Sequence, residues 1–328
     1  MTARLLEVTD LSIAFDTPDG LVEAVRGLSF GVDRGKTLAI VGESGSGKTV
    51  AAYALLRLLR GARITGRAMF DGSDLLTIDD KSLRAIRGAK IAMVFQHPHA
   101  SFHPAMRIVT QVAEVIRIHT PASRKEARER AIALLERVGI PDAERRADDY
   151  PHQFSGGMLQ RVMIAMAIAL NPSLIVADEP TTALDVTVQA QILQLLRDVQ
   201  HEIGTALIVI THDIGVVANI AHDVLVMYAG KAMEYANRRT LLTAPHHPYT
   251  RALLAALPRL ATDHEQLAAI PGQPPSPIAP AVGCPFQPRC EFAMPQCDSA
   301  PPLATIAHDA THRSACWLPA DHAASVTT

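Results

Sequence analysis

The stretch that most limits the fold is Gly42-Glu-Ser-Gly-Ser-Gly-Lys-Thr49, because of what flanks it. An apolar, strand-like run, Leu38-Ala-Ile-Val41, leads into it, and a helix-like run, Val50 to Leu59, leads away. Gly-x4-Gly-Lys-Ser/Thr between a strand and a helix is the pattern of a phosphate-binding loop. The residue types follow from the chemistry. Gly42, Gly45 and Gly47 let backbone N–H groups close round an anion where a Cβ would intrude. Ser44 and Ser46 line the same loop. Lys48 adds a full charge toward the outer phosphates, and the Thr49 hydroxyl suits Mg2+. A helix dipole contributes only about 0.3–1 kcal/mol to such an anion, so Lys48 and the metal carry most of the charge stabilisation.

Composition narrows the class. A chain of 328 residues, 48% hydrophobic, holds a full α/β core and a smaller second module. A formal charge of −2 gives no reason to expect nucleic acid as the main partner. The longest apolar runs, such as Met163 to Leu170, are too short to span a bilayer, and the first residues carry no secretory core, so a cytosolic chain is expected.

Along the chain, residues 4–37 read as short strands: Val8 to Phe15, a turn at Pro18-Asp-Gly20, then Leu21 to Val25. Phe15 is placed either to stack on an adenine ring or to fill core. Gly66 to Phe70 with Asp71-Gly72 suggests a hairpin. The strand Lys90 to Phe95 ends at Gln96, whose amide either ligates Mg2+ or orients water, or else merely terminates a strand. Residues 107–150 read as charged helices. Ser155-Gly156-Gly157 opens an apolar helix, Met158 to Leu170, that Asn171-Pro172 stops. A Ser and two Gly at a helix start make either an anion site or an ordinary N-cap.

The run Leu174-Ile-Val-Ala-Asp178-Glu179-Pro180 then puts two carboxylates at the end of a buried strand, the Walker B arrangement. Asp178 is expected to hold Mg2+ through water and Glu179 to polarise the attacking water. Thr181 to Asp185 follows as a tight loop, residues 186–203 as a helix, and Ala206 to Ile210 as a strand ending at Thr211-His212. Of fourteen histidines, His212 alone sits where a ring can bond the γ-phosphate.

These pieces together resemble the nucleotide-binding subunits of ABC transporters. The matches run in order: phosphate loop 42–49, Gln96, the signature Phe154-Ser-Gly-Gly-Met158, Walker B 174–179, Ala183-Leu-Asp185 and His212. The signature departs from Leu-Ser-Gly-Gly-Gln at Phe154 and Met158. The resemblance implies a P-loop NTPase with a mixed sheet core, an antiparallel β subdomain and a helical subdomain of about 97–160, all within 1–250. A cysteine-containing module follows over 251–328. It also implies two ATPase domains meeting head to tail, Ser155, Gly156, Gly157 and Asp185 of one facing the ATP on the other. Ala244 to Pro258, with His247-Pro-Tyr249, resembles the extension of the oligopeptide/dipeptide importers. That branch implies a second, different ATPase subunit, two membrane permeases and an extracytoplasmic binding protein. The chain then works at the cytoplasmic face of the membrane on peptides, or on a cargo such as nickel or glutathione. Rival readings are a soluble ABC-type ATPase and a redox- or iron-sensing switch. A single phosphate loop and an intact Glu179 and His212 argue against them.

Pro271 to Pro277 reads as a linker. All four cysteines follow it, as Cys284-x5-Cys290-x6-Cys297-x18-Cys316. Close Cys pairs typical of zinc are absent. Wider spacings suit four thiolates round a cubane, which related importer ATPases carry, so a 4Fe–4S cluster is expected, with zinc or free thiols as alternatives.

Overall fold

Two long strands reach further than their sequence pattern suggests, and their pairing explains why. In the computed structural model, which describes residues 4–182, 184–256, 270–278, 280–306 and 309–319, the strands are β1 (Arg4–Thr17) and β2 (Gly20–Asp33). They are followed by β3 (Thr37–Val41), β4 (Ala62–Phe70), β5 (Ser73–Asp74), β6 (Ile91–Val94), β7 (Leu174–Asp178) and β8 (Ala206–Thr211). The last four are β9 (Asp223–Tyr228), β10 (Lys231–Asn237), β11 (Ala304–Ile306) and β12 (Asp309–Ser314). The chain gathers into two compact units, one holding Val32–Lys36 and Thr77–Ile210, the other Arg4–Gly31, Thr37–Leu76 and the chain from Thr211 on.

In the first unit β6, β7 and β8 run parallel, β7 in the middle, and every residue of β7 is buried. A strand covered on both faces needs the near-continuous apolar run that Leu174 to Ala177 supplies. The expected helical region forms as Ile108–His119, Arg124–Arg137 and Ala143–Arg146. Ser123 and Glu126 close a capping box at the start of the second. Helix Val186–Ile203 has the expected bounds because both ends are signalled. The Asp185 carboxylate caps its start, and Gly204 takes φ 67° at its end.

The second unit holds an antiparallel sheet in the order β2-β1-β4-β5. β1 pairs with β4 from Leu6 opposite Phe70 to Phe15 opposite Ala62, with a bulge between Thr9 and Ser12. The expected hairpin at Asp71-Gly72 forms, both residues at positive φ (47° and 82°), as a tight two-residue hairpin turn needs. A mixed set of strands follows in the order β11-β12-β10-β9-β3, parallel only between β9 and β3. Tyr228, Tyr249 and Phe286 pack against Val41 and Val226 in the core below it, with Cys284 and Cys297 in the same cluster.

One expectation is corrected. Residues 271–277 are not a free spacer: the Pro277 carbonyl accepts the Glu23 N–H at 3.0 Å, and the Pro271 carbonyl accepts Arg289 Nε at 2.8 Å. Proline lacks a donor but keeps its acceptor, so a Pro-rich segment can still be bonded down. Among the described residues no helix is long and apolar enough to cross a membrane.

Candidate active site

The phosphate loop follows β3 and feeds the helix Lys48–Leu55 as expected. Gly42 takes φ 153°, and a Cβ there would collide with the Met227 carbonyl. Gly47 takes φ 95°, with the Ala24 carbonyl in the way of any side chain. Gly45, at φ 78°, faces open space, as does the exposed Ser44, so the loop presents a clear concave rim to an anion. Lys48 is nearly buried, and its ammonium donates to the Gly42 carbonyl at 2.7 Å, the Glu43 carbonyl at 2.8 Å and Ser46 Oγ at 3.3 Å. That anchoring fixes the charge beside the glycine rim. Thr49, next in the chain, opens the helix with it. Phe15 lies half-buried on β1.

In the first unit the carboxylate of Glu179 is held from two sides. Gln96 Nε2 donates to its Oε2 at 2.7 Å and Thr182 Oγ1 donates to the same oxygen at 2.8 Å. Its backbone N–H donates to the Ile210 carbonyl, and it takes φ 46°, a left-handed conformation that costs a non-glycine residue on the order of 1–3 kcal/mol. Asp178, its neighbour on β7, is fully buried. The Gln96 amide thus reaches the carboxylate of Glu179, 83 positions on.

Ser155 caps the helix Gly156–Ile168, its Oγ accepting the Met158 N–H at 3.3 Å. The helix begins two residues before the expected start because that cap, not the first apolar residue, sets it. Gly157 is closely packed: a Cβ would lie 2.8 Å from Val188 Cγ1. Asp185 Oδ1 accepts the Val188 N–H at 2.9 Å, whereas Ala183 lies outside the described residues. His212 is exposed just past β8.

The model of the ABC transporter family matches residues 25–182, and that of the oligopeptide/dipeptide transporter C-terminal region matches 233–297. The oligopeptide transport ATP-binding protein OppD of Salmonella typhimurium is 51% identical over 300 residues, 91% of this chain and 90% of that protein. The chain belongs to the ABC transporter ATPases, in their oligopeptide/dipeptide branch. Within that branch, the dipeptide transport ATP-binding protein DppD of Bacillus subtilis is 46% identical over 318 residues, covering 96% of this chain and 95% of its own. Among solved structures, the dimeric bacterial ABC transporter cassette MJ0796 superposes with a TM-score of 0.65 at 29% identity, over 71% of this chain and 99% of that one. The ABC ATPase fold, with its mixed sheet and antiparallel subdomain, is therefore established for this chain, and with it ATP hydrolysis.

The cysteines stand differently. Cys284 and Cys297 are buried, Cys290 and Cys316 half-buried, and none is in a disulfide. Burial raises the thiols of Cys284, Cys290 and Cys316, the last to about 11; Cys297 raises Cys284 further, Cys284 and Cys297 raise Cys290, and all three others raise Cys316. The four therefore share one neighbourhood. Yet among the described residues no group of three or more His, Cys, Asp or Glu side chains is arranged to hold a metal ion. The expected 4Fe–4S cluster thus has no support in this arrangement. Spacing along the chain brings thiols into one region without closing them on a single centre.

Sequence reasoning missed a second set. The Tyr249 hydroxyl accepts the Glu43 N–H at 2.9 Å, and Arg289 Nη1 donates to both Glu43 carboxylate oxygens at 2.9 and 3.1 Å. Tyr249 had a signal, the His-Pro-Tyr run. Arg289 had none.

Proposed function

We propose that this chain is the ATP-hydrolysing subunit that powers import of di- and oligopeptides across the cytoplasmic membrane. Its ATPase domain covers 1–250, with a helical subdomain of about 97–160, and the extension covers 251–328. The OppD and DppD relatives support the cargo, and nickel or glutathione import and a soluble switch are not favoured. The observation that carries the chemistry is the doubly held Glu179 carboxylate. A carboxylate gripped by Gln96 and Thr182 cannot swing away, so it stands ready to take a proton from water attacking the γ-phosphate. ATP sits with its phosphates along Gly42, Ser44, Gly45, Ser46, Gly47, Lys48 and Thr49, and Phe15 stacks on its base. Thr49, Gln96 and Asp178 are the donors that would hold Mg2+, which when bound would neutralise phosphate charge. Their oxygen-only set, with one buried carboxylate, suits that ion. His212 steadies the γ-phosphate.

The subunit pairs with a second, different ATPase subunit, to whose ATP it offers Ser155, Gly156, Gly157 and Asp185. Two permeases and an extracytoplasmic binding protein complete the assembly at the cytoplasmic face of the membrane. The iron–sulfur reading of Cys284, Cys290, Cys297 and Cys316 stays a proposal resting on their spacing in the sequence alone. Iron and zinc content of anaerobically purified protein tests it, and absence of iron ends it.

The Glu179→Gln variant tests the mechanism. It should bind Mg-ATP, lose about 10²–10⁴-fold in hydrolysis and accumulate as the ATP-closed assembly. Hydrolysis at the wild-type rate would refute the role given to Glu179.

A further inference from the structure

We infer that the C-terminal extension sets how tightly the phosphate loop grips ATP, by holding Glu43 through Arg289 and Tyr249. This rests on the reading of residues 42–49 as the ATP loop. Glu43 is the loop's second residue, and it is fixed at three points. Its N–H donates to the Tyr249 hydroxyl, its carboxylate accepts twice from Arg289, and its carbonyl accepts from Lys48 Nζ. The third contact makes the first two matter. Lys48 takes two of its anchors from the Gly42 and Glu43 carbonyls, so a displacement of Glu43 displaces the charge meant for the phosphates.

Arg289 is itself held from behind. Its Nε donates to the Pro271 carbonyl, its Nη2 to the Ile270 carbonyl at 3.1 Å, and its Nη1 also reaches the Tyr228 hydroxyl at 3.1 Å. The guanidinium lies 5.7 Å from the centre of the Tyr228 ring and 6.0 Å from that of Phe286. A fork fixed on this many sides is preorganised for a carboxylate. Its side chain is 5% exposed, and that of Glu43 26%. Tyr249 is braced equally well, its ring 4.6 Å from Tyr228 and 5.2 Å from Phe286. Burial raises its phenol, so the hydroxyl stays protonated at any working pH.

Charge gives a second reason. Glu43 lines one small cavity with Ser44, Gly45 and Ser46, and the Pro274–Pro277 segment walls its other side. A bare carboxylate there would repel a triphosphate arriving on the loop, and Arg289 neutralises it.

Mg-ATP binding to the purified full chain, with steady-state hydrolysis by the assembled transporter, tests this. Arg289→Ala should weaken Mg-ATP by about tenfold, with the loss in KM and a smaller one, under about threefold, in kcat. Arg289→Lys should recover part of the affinity, since it restores charge but not the fork. Adding Glu43→Gln to Arg289→Ala should recover only part of the affinity, because the bare carboxylate is gone but position 43 is still not held by an arginine. A merely structural contact would lower the melting midpoint of Arg289→Ala while leaving Mg-ATP affinity unchanged, and that result overturns the inference. If Arg289→Ala does not fold, Arg289→Lys and Glu43→Gln alone decide, and unchanged affinity in both overturns it. Failure of the loop reading looks different: Lys48→Ala would bind Mg-ATP as well as the wild type.

Discussion

Acid should loosen the C-terminal extension through His247. The ring is 1% exposed and 6.0 Å from the Phe286 ring. Its Nδ1 accepts the Tyr249 N–H at 3.0 Å and so caps the helix Pro248–Ala255. A proton on Nδ1 would set two donors against each other. Burial pushes the ring down from 6.5 to about 4, overcoming the attraction of Glu234, while His246 and Arg251 oppose protonation further. The folded value lies below the unfolded one, so the stabilisation is fully present above pH 6.5 and drains away as pH falls toward 4. At 1.36 kcal/mol per pH unit the gap amounts to about 3 kcal/mol. Glu234 adds to this in the same direction. Burial raises its carboxyl, but bonds from His312 and the His246 and His247 amides hold it below its ordinary value, so its contribution also goes in acid. The assay is built in: Trp317, the chain's one tryptophan, lies in the extension and donates to the Ser299 carbonyl. Urea unfolding followed by its fluorescence should show stability falling between pH 7 and pH 4. In His247→Asn, whose amide oxygen still caps but cannot titrate, most of that ~3 kcal/mol of pH dependence should vanish. Parallel pH curves for variant and wild type would refute the argument.

Substitutions at two further positions probe the geometry. Gly42→Ala forces a Cβ against the Met227 carbonyl and within 2.9 Å of Ser46 Oγ at φ 153°, so Mg-ATP affinity should fall by roughly a hundredfold or more; unchanged binding would mean the loop is not held as described. Glu234→Ala strands the His246 and His247 amides and His312, costing about 3–5 kcal/mol by Trp317-monitored unfolding, whereas Glu234→Gln keeps an oxygen for the amides and should cost less. Equal unfolding midpoints for the two variants would show that the carboxylate's bonds do not anchor the extension.

What could be read from the sequence divides by the range of the interaction. The helix Val186–Ile203 was legible to the residue because its signals are local: a capping Asp185 at one end, Gly204 at the other. The phosphate loop was legible because a strand, three glycines and a helix specify its backbone without outside help. β4 was read too short because Ala62 to Thr65 are extended by pairing with β1, some fifty residues away, and not by their own pattern. Gln96 could be placed at a strand end but not against Glu179, 83 positions on, since only the register of β6 beside β7 brings the two strand ends level. The largest miss follows the same rule. Arg289 and Glu43 stand 246 residues apart, and neither the cysteine spacing nor the glycine loop carries any trace of the other. Such a pair emerges only when β9 lies beside β3 and carries Tyr228, the residue on which Arg289 rests, to the root of the loop. The composition that marked 271–277 as a linker described only its missing donors. Its carbonyls were free to bond, and two of them tie the extension to β2 and to Arg289. A segment poor in donors is thus no evidence of a slack tether, and here it is part of what keeps the arginine aimed at Glu43.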